Sequence, residues 1–177
     1  AYVRTIMKDA IACGLEKAIV SGNGLDCPVG LDRDIHNGVS FSTSTGYPQK
    51  TAIKVTDFSP KTYGDLISKM AKTEEYTDSN SKKHGGRTRK FGSVLMIVNQ
   101  VDYLTKVMPA TTLLNTNGAY VKDVFPFPTE VVISNEVATG KAILCLPNEY
   151  FMAMGGAKEG VIEYSKDFQF LDDATTY

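Results

Sequence analysis

The first twenty residues constrain the fold most strongly, because their apolar and small side chains recur at the spacing of one face of an α-helix. The repeat comprises Val3, Ile6, Met7, Ala10, Ile11, Gly14, Leu15, Ala18 and Ile19. It predicts a helix that reaches about Val20, roughly 28 Å long at 1.5 Å per residue. The Ser21–Gly24 segment contains two glycines, which favour the end of that helix. We expect this helix to be the longest rigid element of the chain.

A second helix is predicted to begin after Ser59, a good N-cap residue, with Pro60 at its first position. Its apolar stripe fades by about Lys72, and a polar stretch follows until Gly92. We expect that stretch to lie on the surface.

The continuous apolar run Val94–Val98 is typical of a strand buried on both faces. Asn99 is expected to cap a short helix that ends at Pro109. Two-residue alternation and turn residues predict further strands at Ala52–Val55, Glu130–Ser134, Ala142–Leu146, Tyr150–Met154, Val161–Ser165 and Phe168–Leu171. This mixture of elements predicts an α+β fold.

Composition excludes several classes of protein. The chain has 177 residues and a net charge of -1, so it is neither histone-like nor an acidic tail. Its longest apolar runs have five residues, and a membrane-spanning helix needs about 20. Its three cysteines, Cys13, Cys27 and Cys145, show neither a disulfide framework nor metal-binding spacing, which predicts free thiols in a reducing compartment.

Residue patterns for catalysis are weak. The best nucleophile and base pair is Cys27 with His36, nine residues apart across a Gly-rich loop, and we expect an inert thiol and a surface imidazole instead. The other histidine, His84, also falls in a predicted loop. Adjacent carboxylates, at Glu74 and Glu75 and at Asp172 and Asp173, point apart on a helix or strand and are expected to be solvated. No catalytic, metal-binding or cofactor-binding residue is predicted.

The segment Lys82–Lys90 contains five basic residues and no acidic one. We expect a mobile, solvated loop that can meet phosphates but, without an interleaved aromatic residue, cannot read a base sequence. From Pro147 to Tyr177 the chain has six acidic and two basic residues. This asymmetry motivates the hypothesis that the acidic segment of one copy meets the basic loop of another.

The order of turn and packing landmarks along the chain is more informative than any single motif. They are Glu16–Ile19 followed by Gly22, Gly24 and Pro28–Leu31; VLMIVNQVDYL at 94–104; Asn117–Tyr120; Phe127–Val132; Ser134, Val137 and Gly140–Ala142; and the closing VIEYSKDFQFLDDATTY. In this order they resemble tailed-phage major capsid proteins of the Hong Kong 97 type. The family's amino-terminal arm, extended hairpin loop and last strand have no counterpart, and Ala1 and Tyr177 fall inside predicted elements, so we expect a truncated fragment.

The resemblance implies a long spine helix, a peripheral domain and an axial domain. Residues 1–50 would form the spine helix and following loop of the peripheral domain, 51–147 mainly the axial domain, and 148–177 the return to peripheral strands. The implied function is structural: a subunit of an icosahedral phage or prophage capsid, assembled in the bacterial cytoplasm into pentamers and hexamers. The implied partners are copies of itself, scaffolding and portal proteins, and packaged DNA contacted without sequence preference, with no membrane.

Three alternatives remain open at the level of sequence. An encapsulin-like shell would hold a cargo enzyme instead of a genome. A small enzyme would use Cys27 or Cys145 as its nucleophile. A nucleic-acid-binding module would use the basic loop. Because the family's arms are missing, the isolated chain is expected to be monomeric or a small oligomer.

Overall fold

The computed structural model of the chain describes residues 2–36, 38–73 and 75–152. Its helical segments are α1 (Tyr2–Ser21), α2 (Pro60–Met70), α3 (Gln100–Asp102), a π-helical turn (Tyr103–Val107) and α4 (Met108–Thr111). Its strands are β1 (Tyr76–Thr77), β2 (Lys83–His84), β3 (Val94–Val98), β4 (Leu113–Leu114), β5 (Tyr120–Val121), β6 (Thr129–Ile133) and β7 (Ala142–Cys145). The prediction of an α+β fold is confirmed.

Local sequence signals account for the ends of the helices. The Ser59 side chain accepts a hydrogen bond from the Thr62 amide and caps α2, as predicted. The Asn99 side chain likewise accepts from the Val101 amide at the start of α3. The end of α1 packs backbone against backbone on the turn that follows, since a Cβ on Gly30 would lie only 2.6 Å from the amide nitrogen of Gly22.

A mixed three-stranded sheet, in the order β6-β3-β7, lies at the centre of the described chain. Strand β3 pairs with β6 in parallel, from Val94 opposite Thr129 onward, and with β7 antiparallel, from Leu95 opposite Cys145 onward. Strand β3 therefore occupies the middle of the sheet. Its continuous apolar run follows from this position, because both of its faces are covered, as predicted.

Each face of the sheet supports its own apolar cluster. On one face Val94, Met96 and Val98 pack with Tyr63 and Ile67 of α2, and Val107 and Leu146 complete the cluster. On the other face Ile97 packs with Val20, near the end of α1, and with Val137. Alternate residues of β3 thus attach α1 and α2 to opposite sides of one sheet.

Polar contacts tie the helical segments to the sheet. The Asp102 carboxylate is buried at the start of the helical stretch, where it accepts hydrogen bonds from the Lys106 ammonium and, at 2.6 Å, from the Gly140 amide. The Lys106 and Gly140 hydrogen bonds hold the Asp102 pKa below its ordinary value. On α2, the Tyr63 hydroxyl bonds the Thr129 hydroxyl of β6.

Two predictions about regular structure are wrong. Residues 52–55 are exposed and form no strand, because alternation yields a strand only where a neighbour pairs with it and a core covers one face. Pro109 does not end the preceding helix. The Met108 amide bonds the carbonyl of Tyr103, five residues back, and this wider π-helical turn accommodates the proline within α4.

The chain after β7 also differs from expectation. At Asn148 the backbone adopts a φ of 69°, and residues 150–152 that follow this turn are not in a strand, contrary to the prediction for Tyr150–Met154. The rest of that prediction, and the strands expected at Val161–Ser165 and Phe168–Leu171, lie outside the described residues.

Candidate interaction surfaces

Most of α1 is exposed along its length. Its only buried residue is Val20, whereas Tyr2 is 79% exposed and Ile6 50% exposed. Besides the apolar contact of Val20, α1 makes a polar contact next to the sheet. The buried Ser134 hydroxyl, which follows β6, donates a hydrogen bond to the Glu16 carboxylate. The predicted apolar stripe is therefore present on a helix, but only its carboxyl-terminal end is packed against the described residues.

A second apolar surface is formed by the hairpin of β4 and β5 with the helical stretch before it. Leu113, Leu114 and Tyr120 are more than half exposed, and Leu104 and Met108 are also exposed. A shallow depression of about 630 Å³ lies between the helical stretch and Tyr120. The turn of this hairpin has Gly118 at a φ of 77°, which explains why an Asn-Gly pair suits it.

The described residues expose more large apolar side chains than they bury. Ten hydrophobic side chains are buried, and twenty-one large ones are exposed. Single exposed apolar residues are ordinary on a monomer, but contiguous sets such as those on α1 and on the β4–β5 hairpin are typical of protein contacts. The described residues therefore leave two apolar surfaces exposed.

The polar stretch before Gly92 contains a short β-hairpin, where we had expected a surface stretch with a basic loop at Lys82–Lys90. Tyr76 pairs with His84 and Thr77 with Lys83, and Lys72 forms an isolated bridge with Thr88 farther from the tip. We call residues 72–90 the basic hairpin. His84 therefore lies in a strand, not in the predicted loop.

Asp78 organises the tip of the basic hairpin. Its carboxylate accepts hydrogen bonds from the amides of Asn80 and Lys82, each at 2.9 Å, and from the His84 ring at 2.9 Å. The His84 bond is the main cause of an Asp78 pKa below the ordinary value, and the Lys82 amide adds to it. Ser81 occupies the left-handed region at a φ of 59°, as a tight turn requires.

Two features of the basic hairpin were missed in the sequence. The Tyr76 ring stacks on the His84 ring, with centroids 5.1 Å apart and an angle of 18° between the planes. Arg89 pairs with Glu149 within the same chain, through contacts of 2.8 and 2.9 Å to the two carboxylate oxygens. The hypothesis of a contact between the basic loop of one copy and the acidic segment of another is a separate matter and stays a prediction, because this pair lies within one chain. The charge asymmetry between Lys82–Lys90 and Pro147–Tyr177 was the available signal in the sequence. It did not identify the pair, because Arg89 and Glu149 lie 60 residues apart.

The hydrogen bonds of the two thiols considered for catalysis include no histidine or carboxylate among the described residues. Cys27 donates a hydrogen bond to the Asn23 side-chain oxygen at 3.2 Å, and an amide oxygen cannot serve as a general base. The His36 ring bonds the Asp34 carboxylate. Cys145 is half-buried on β7, and burial raises the pKa of its thiol. Neither cysteine is therefore favoured as a nucleophile.

Both of these cysteines line one broad, open depression of about 990 Å³. Both arginines at its border are engaged in structural contacts. Arg33 donates to the backbone carbonyls of Ser21 and Tyr47, and Arg89 pairs with Glu149. These guanidinium groups cross-link segments of the fold and are therefore not free to bind a ligand.

The remaining candidates behave as structural residues. Ser21–Gly24 ends α1, as predicted, with Gly24 at a φ of 82°. Glu75 packs against the backbone of Gly86, where a Cβ would lie 2.4 Å from a carboxylate oxygen. In the part of the chain that the structure describes, no three His, Cys, Asp or Glu side chains converge on a possible metal site. Glu74, Asp172 and Asp173 lie outside that part.

None of the described helices combines the length and the apolar character needed to cross a bilayer. No protein-family model, curated protein or solved structure matches the chain. The function proposed next therefore rests on the residues, their geometry and the order of landmarks in the sequence.

Proposed function

We propose that this chain is a structural subunit of an icosahedral phage or prophage capsid, which assembles into pentamers and hexamers that enclose double-stranded DNA. The observation that carries the proposal is the excess of exposed over buried large apolar side chains, twenty-one against ten among the described residues. A subunit that is stabilised by many neighbours keeps such surfaces for its contacts.

The location of the two apolar surfaces favours a subunit that contacts its neighbours head to tail, through two different surfaces. The end of α1 packs on the face of the sheet that carries Ile97, and the helical stretch that leads to β4 packs through Val107 on the opposite face. A heterologous contact joins two different surfaces of identical subunits, and repetition about a closing rotation produces a ring. Two unlike apolar surfaces supported by opposite faces of one sheet meet that requirement.

Several landmarks of the capsid resemblance coincide with the elements that such a fold uses. The stretch compared with the spine helix is the 20-residue α1. The stretch compared with a strand that ends in Asn and enters a helix is β3, followed by the Asn99 cap. The Asn117–Gly118 pair lies in a hairpin turn. These agreements are local, and they favour the proposal because they occur in the expected order.

The chemistry of the described residues favours a structural role over the cysteine-dependent alternative. The Cys27 thiol is bonded to an amide oxygen, and burial raises the pKa of the Cys145 thiol. A nucleophilic cysteine instead needs a base within hydrogen-bond reach or an environment that lowers the thiol pKa. Broad complementary surfaces, by contrast, need no activated group.

The proposal is tested by producing the reading frame that contains residues 1–177 and viewing the product by negative-stain electron microscopy. We expect closed shells, and nuclease-protected double-stranded DNA within them when the other capsid genes are present. Shells that hold a protein cargo and no DNA would establish the encapsulin-like alternative. A product that remains monomeric at all concentrations would refute both shell functions.

Variants locate the contacts. Ile6→Ser with Ile11→Ser removes apolar groups from the exposed part of α1, and we expect assembly to fail while the thermal unfolding temperature stays unchanged. Ile53→Ser with Val55→Ser is the matched control, because both residues are exposed in a loop. Equal loss of assembly in the two double variants would refute a specific role for α1.

A further inference from the structure

The basic hairpin presents cations that the described residues do not neutralise. Lys82, Lys83, Arg87 and Lys90 are all exposed. Within the described ranges, none of these four forms an ion pair with a carboxylate, whereas Arg89 is paired with Glu149. The hairpin therefore concentrates positive charge on a chain whose net charge is -1.

Hydrogen bonds within the chain define the backbone of the hairpin without a ligand. The backbone of Thr73 exchanges hydrogen bonds with Arg87 and Gly86, and the Arg87 amide also donates to the Thr73 hydroxyl at 2.9 Å. At the tip, the Asp78 carboxylate accepts three hydrogen bonds. A paired backbone reduces the entropic cost that a ligand pays to bring the cations together.

The acidic groups described in the hairpin do not cancel these cations. The Asp78 carboxylate accepts hydrogen bonds from two backbone amides and from the His84 ring at the tip. Glu75 packs against the Gly86 backbone on the opposite strand. Because neither carboxylate forms an ion pair with a lysine or arginine of the described chain, the four lysine and arginine side chains remain available to an external anion.

The residue types of the hairpin indicate which polyanion it binds: a membrane surface, a single-stranded nucleic acid or a duplex. Between Lys72 and Lys90 the sequence contains no aliphatic residue and no Phe, so the hairpin lacks the apolar groups that anchor a basic segment in a bilayer. Its one Phe, Tyr or Trp residue, Tyr76, stacks on the His84 ring. This stacking disfavours Tyr76 as a site for stacking with an unpaired base. A two-stranded β-ribbon fits the major groove of a duplex, and Lys and Arg bind its phosphates.

We infer that the basic hairpin binds the phosphate backbone of double-stranded DNA without sequence preference, through Lys82, Lys83, Arg87 and Lys90. The inference deepens the proposed function, on which its biological setting rests, by identifying a surface that meets the enclosed DNA. The binding assay below uses the 177-residue chain and requires no assembly. A failure of binding is therefore distinguishable from a failure of the chain to form shells.

The test is fluorescence anisotropy of a labelled DNA duplex, titrated with the chain at several salt concentrations. Four phosphate contacts predict a slope of about -3.6 for the logarithm of the association constant against the logarithm of salt concentration, at about 0.9 per contact. This slope corresponds to an affinity loss of about 150-fold between about 50 and about 200 mM salt. The triple variant Lys82→Gln, Lys83→Gln and Arg87→Gln should reduce the magnitude of the slope by about 2.7.

Two control variants separate the hairpin from general charge. The triple variant Lys54→Gln, Lys61→Gln and Lys141→Gln changes the net charge equally at exposed positions outside the hairpin and should keep the wild-type slope.

The charge-preserving variant Lys82→Arg, Lys83→Arg and Arg87→Lys should also keep the slope, which shows that the hairpin tolerates substitution. The circular-dichroism melting temperature is measured for every variant. Equal slopes in the two Gln variants would overturn the inference.

Competing ligands provide the remaining outcomes. We expect the duplex to bind more tightly than an oligothymidine of equal length, and both to bind more tightly than phosphatidylserine vesicles. Oligothymidine binding that exceeds duplex binding and falls in Tyr76→Leu would overturn the inference in favour of a single-strand site. Vesicle binding without duplex binding would overturn it in favour of a membrane surface.

Discussion

The hydroxyl pair of Tyr63 and Thr129 allows a quantitative test of how α2 is held on the sheet. Tyr63 is 2% exposed, and its ring packs against those of Phe58 and Phe125, with centroid distances of 5.5 and 5.7 Å. The Thr129 hydroxyl donates to the Phe127 carbonyl at 2.9 Å. The Thr129 proton is therefore already committed, and Tyr63 must be the donor to Thr129.

This assignment predicts unequal costs for the two single substitutions. Tyr63→Phe keeps the ring and leaves only a Thr129 lone pair without its donor, so it should cost about 1 kcal/mol. Thr129→Val should cost about 2 kcal/mol, because it leaves the buried Tyr63 hydroxyl without an acceptor. The double variant should cost no more than Thr129→Val, because Tyr63→Phe removes the hydroxyl that Thr129→Val leaves unpaired, which gives a coupling energy of at least about 1 kcal/mol.

The assay is urea unfolding of the wild type and the three variants, with the denaturant dependence compared to ensure a common unfolded state. Burial raises the Tyr63 pKa above 10.0, so the donor form persists in the folded chain. The stabilisation should be fully present below pH 10 and should disappear as pH rises through the folded pKa. Additive costs in the double variant would refute the direct hydrogen bond.

Three further predictions concern single groups. Cys145 should react with iodoacetamide more slowly than the exposed Cys13, as followed by mass spectrometry, because burial raises its pKa; equal rates in the folded chain would contradict this. Gly30→Ala should destabilise the chain by about 1–3 kcal/mol, since its Cβ meets backbone, whereas Gly14→Ala, with open space around it, should stabilise α1 by about 0.5–1 kcal/mol; calorimetry measures both. The bonds of Asp78 should persist above the unfolded pKa of 3.8 and be lost as pH falls through the lower folded pKa; unchanged NMR signals of the two bonded amides would refute this.

Elements whose signals are local were predicted well. The α1 helix extends to Ser21 and its predicted end was Val20, because an apolar repeat followed by glycines acts within the segment itself. The start of α2 after Ser59 is equally local, since the cap bonds an amide three residues away. Strand β3 was recognised because a continuous apolar run needs cover on both faces wherever it lies.

Features that depend on distant partners were not predicted. The alternation at Ala52–Val55 suggested a strand, but no strand of the described chain pairs with it. The β1–β2 pairing lacks an apolar signal, since backbone bonds and Asp78 hold it. The π-helical turn that accommodates Pro109 depends on a hydrogen bond from the Met108 amide to the Tyr103 carbonyl. The apolar periodicity of the sequence does not reveal this bond.

The same division applies to the surfaces. The cluster of basic residues was evident from composition, but their pairing state was not. Only the folded chain separates Arg89, which binds Glu149, from Lys82 and Lys83, which bind no described carboxylate. Likewise, the stripe on α1 was evident, whereas its exposure depends on what the rest of the chain places beside it.

The amino-acid sequence alone determined the extent of α1, the start of α2, the buried central strand and the segregation of charge, because these properties depend on neighbours within a few residues. Tertiary structure decided which strands pair, which cations remain unpaired and which apolar faces stay exposed. The physical reason is that burial and ion pairing depend on groups that are far apart in the chain, such as Arg89 and Glu149, or Ser134 and Glu16.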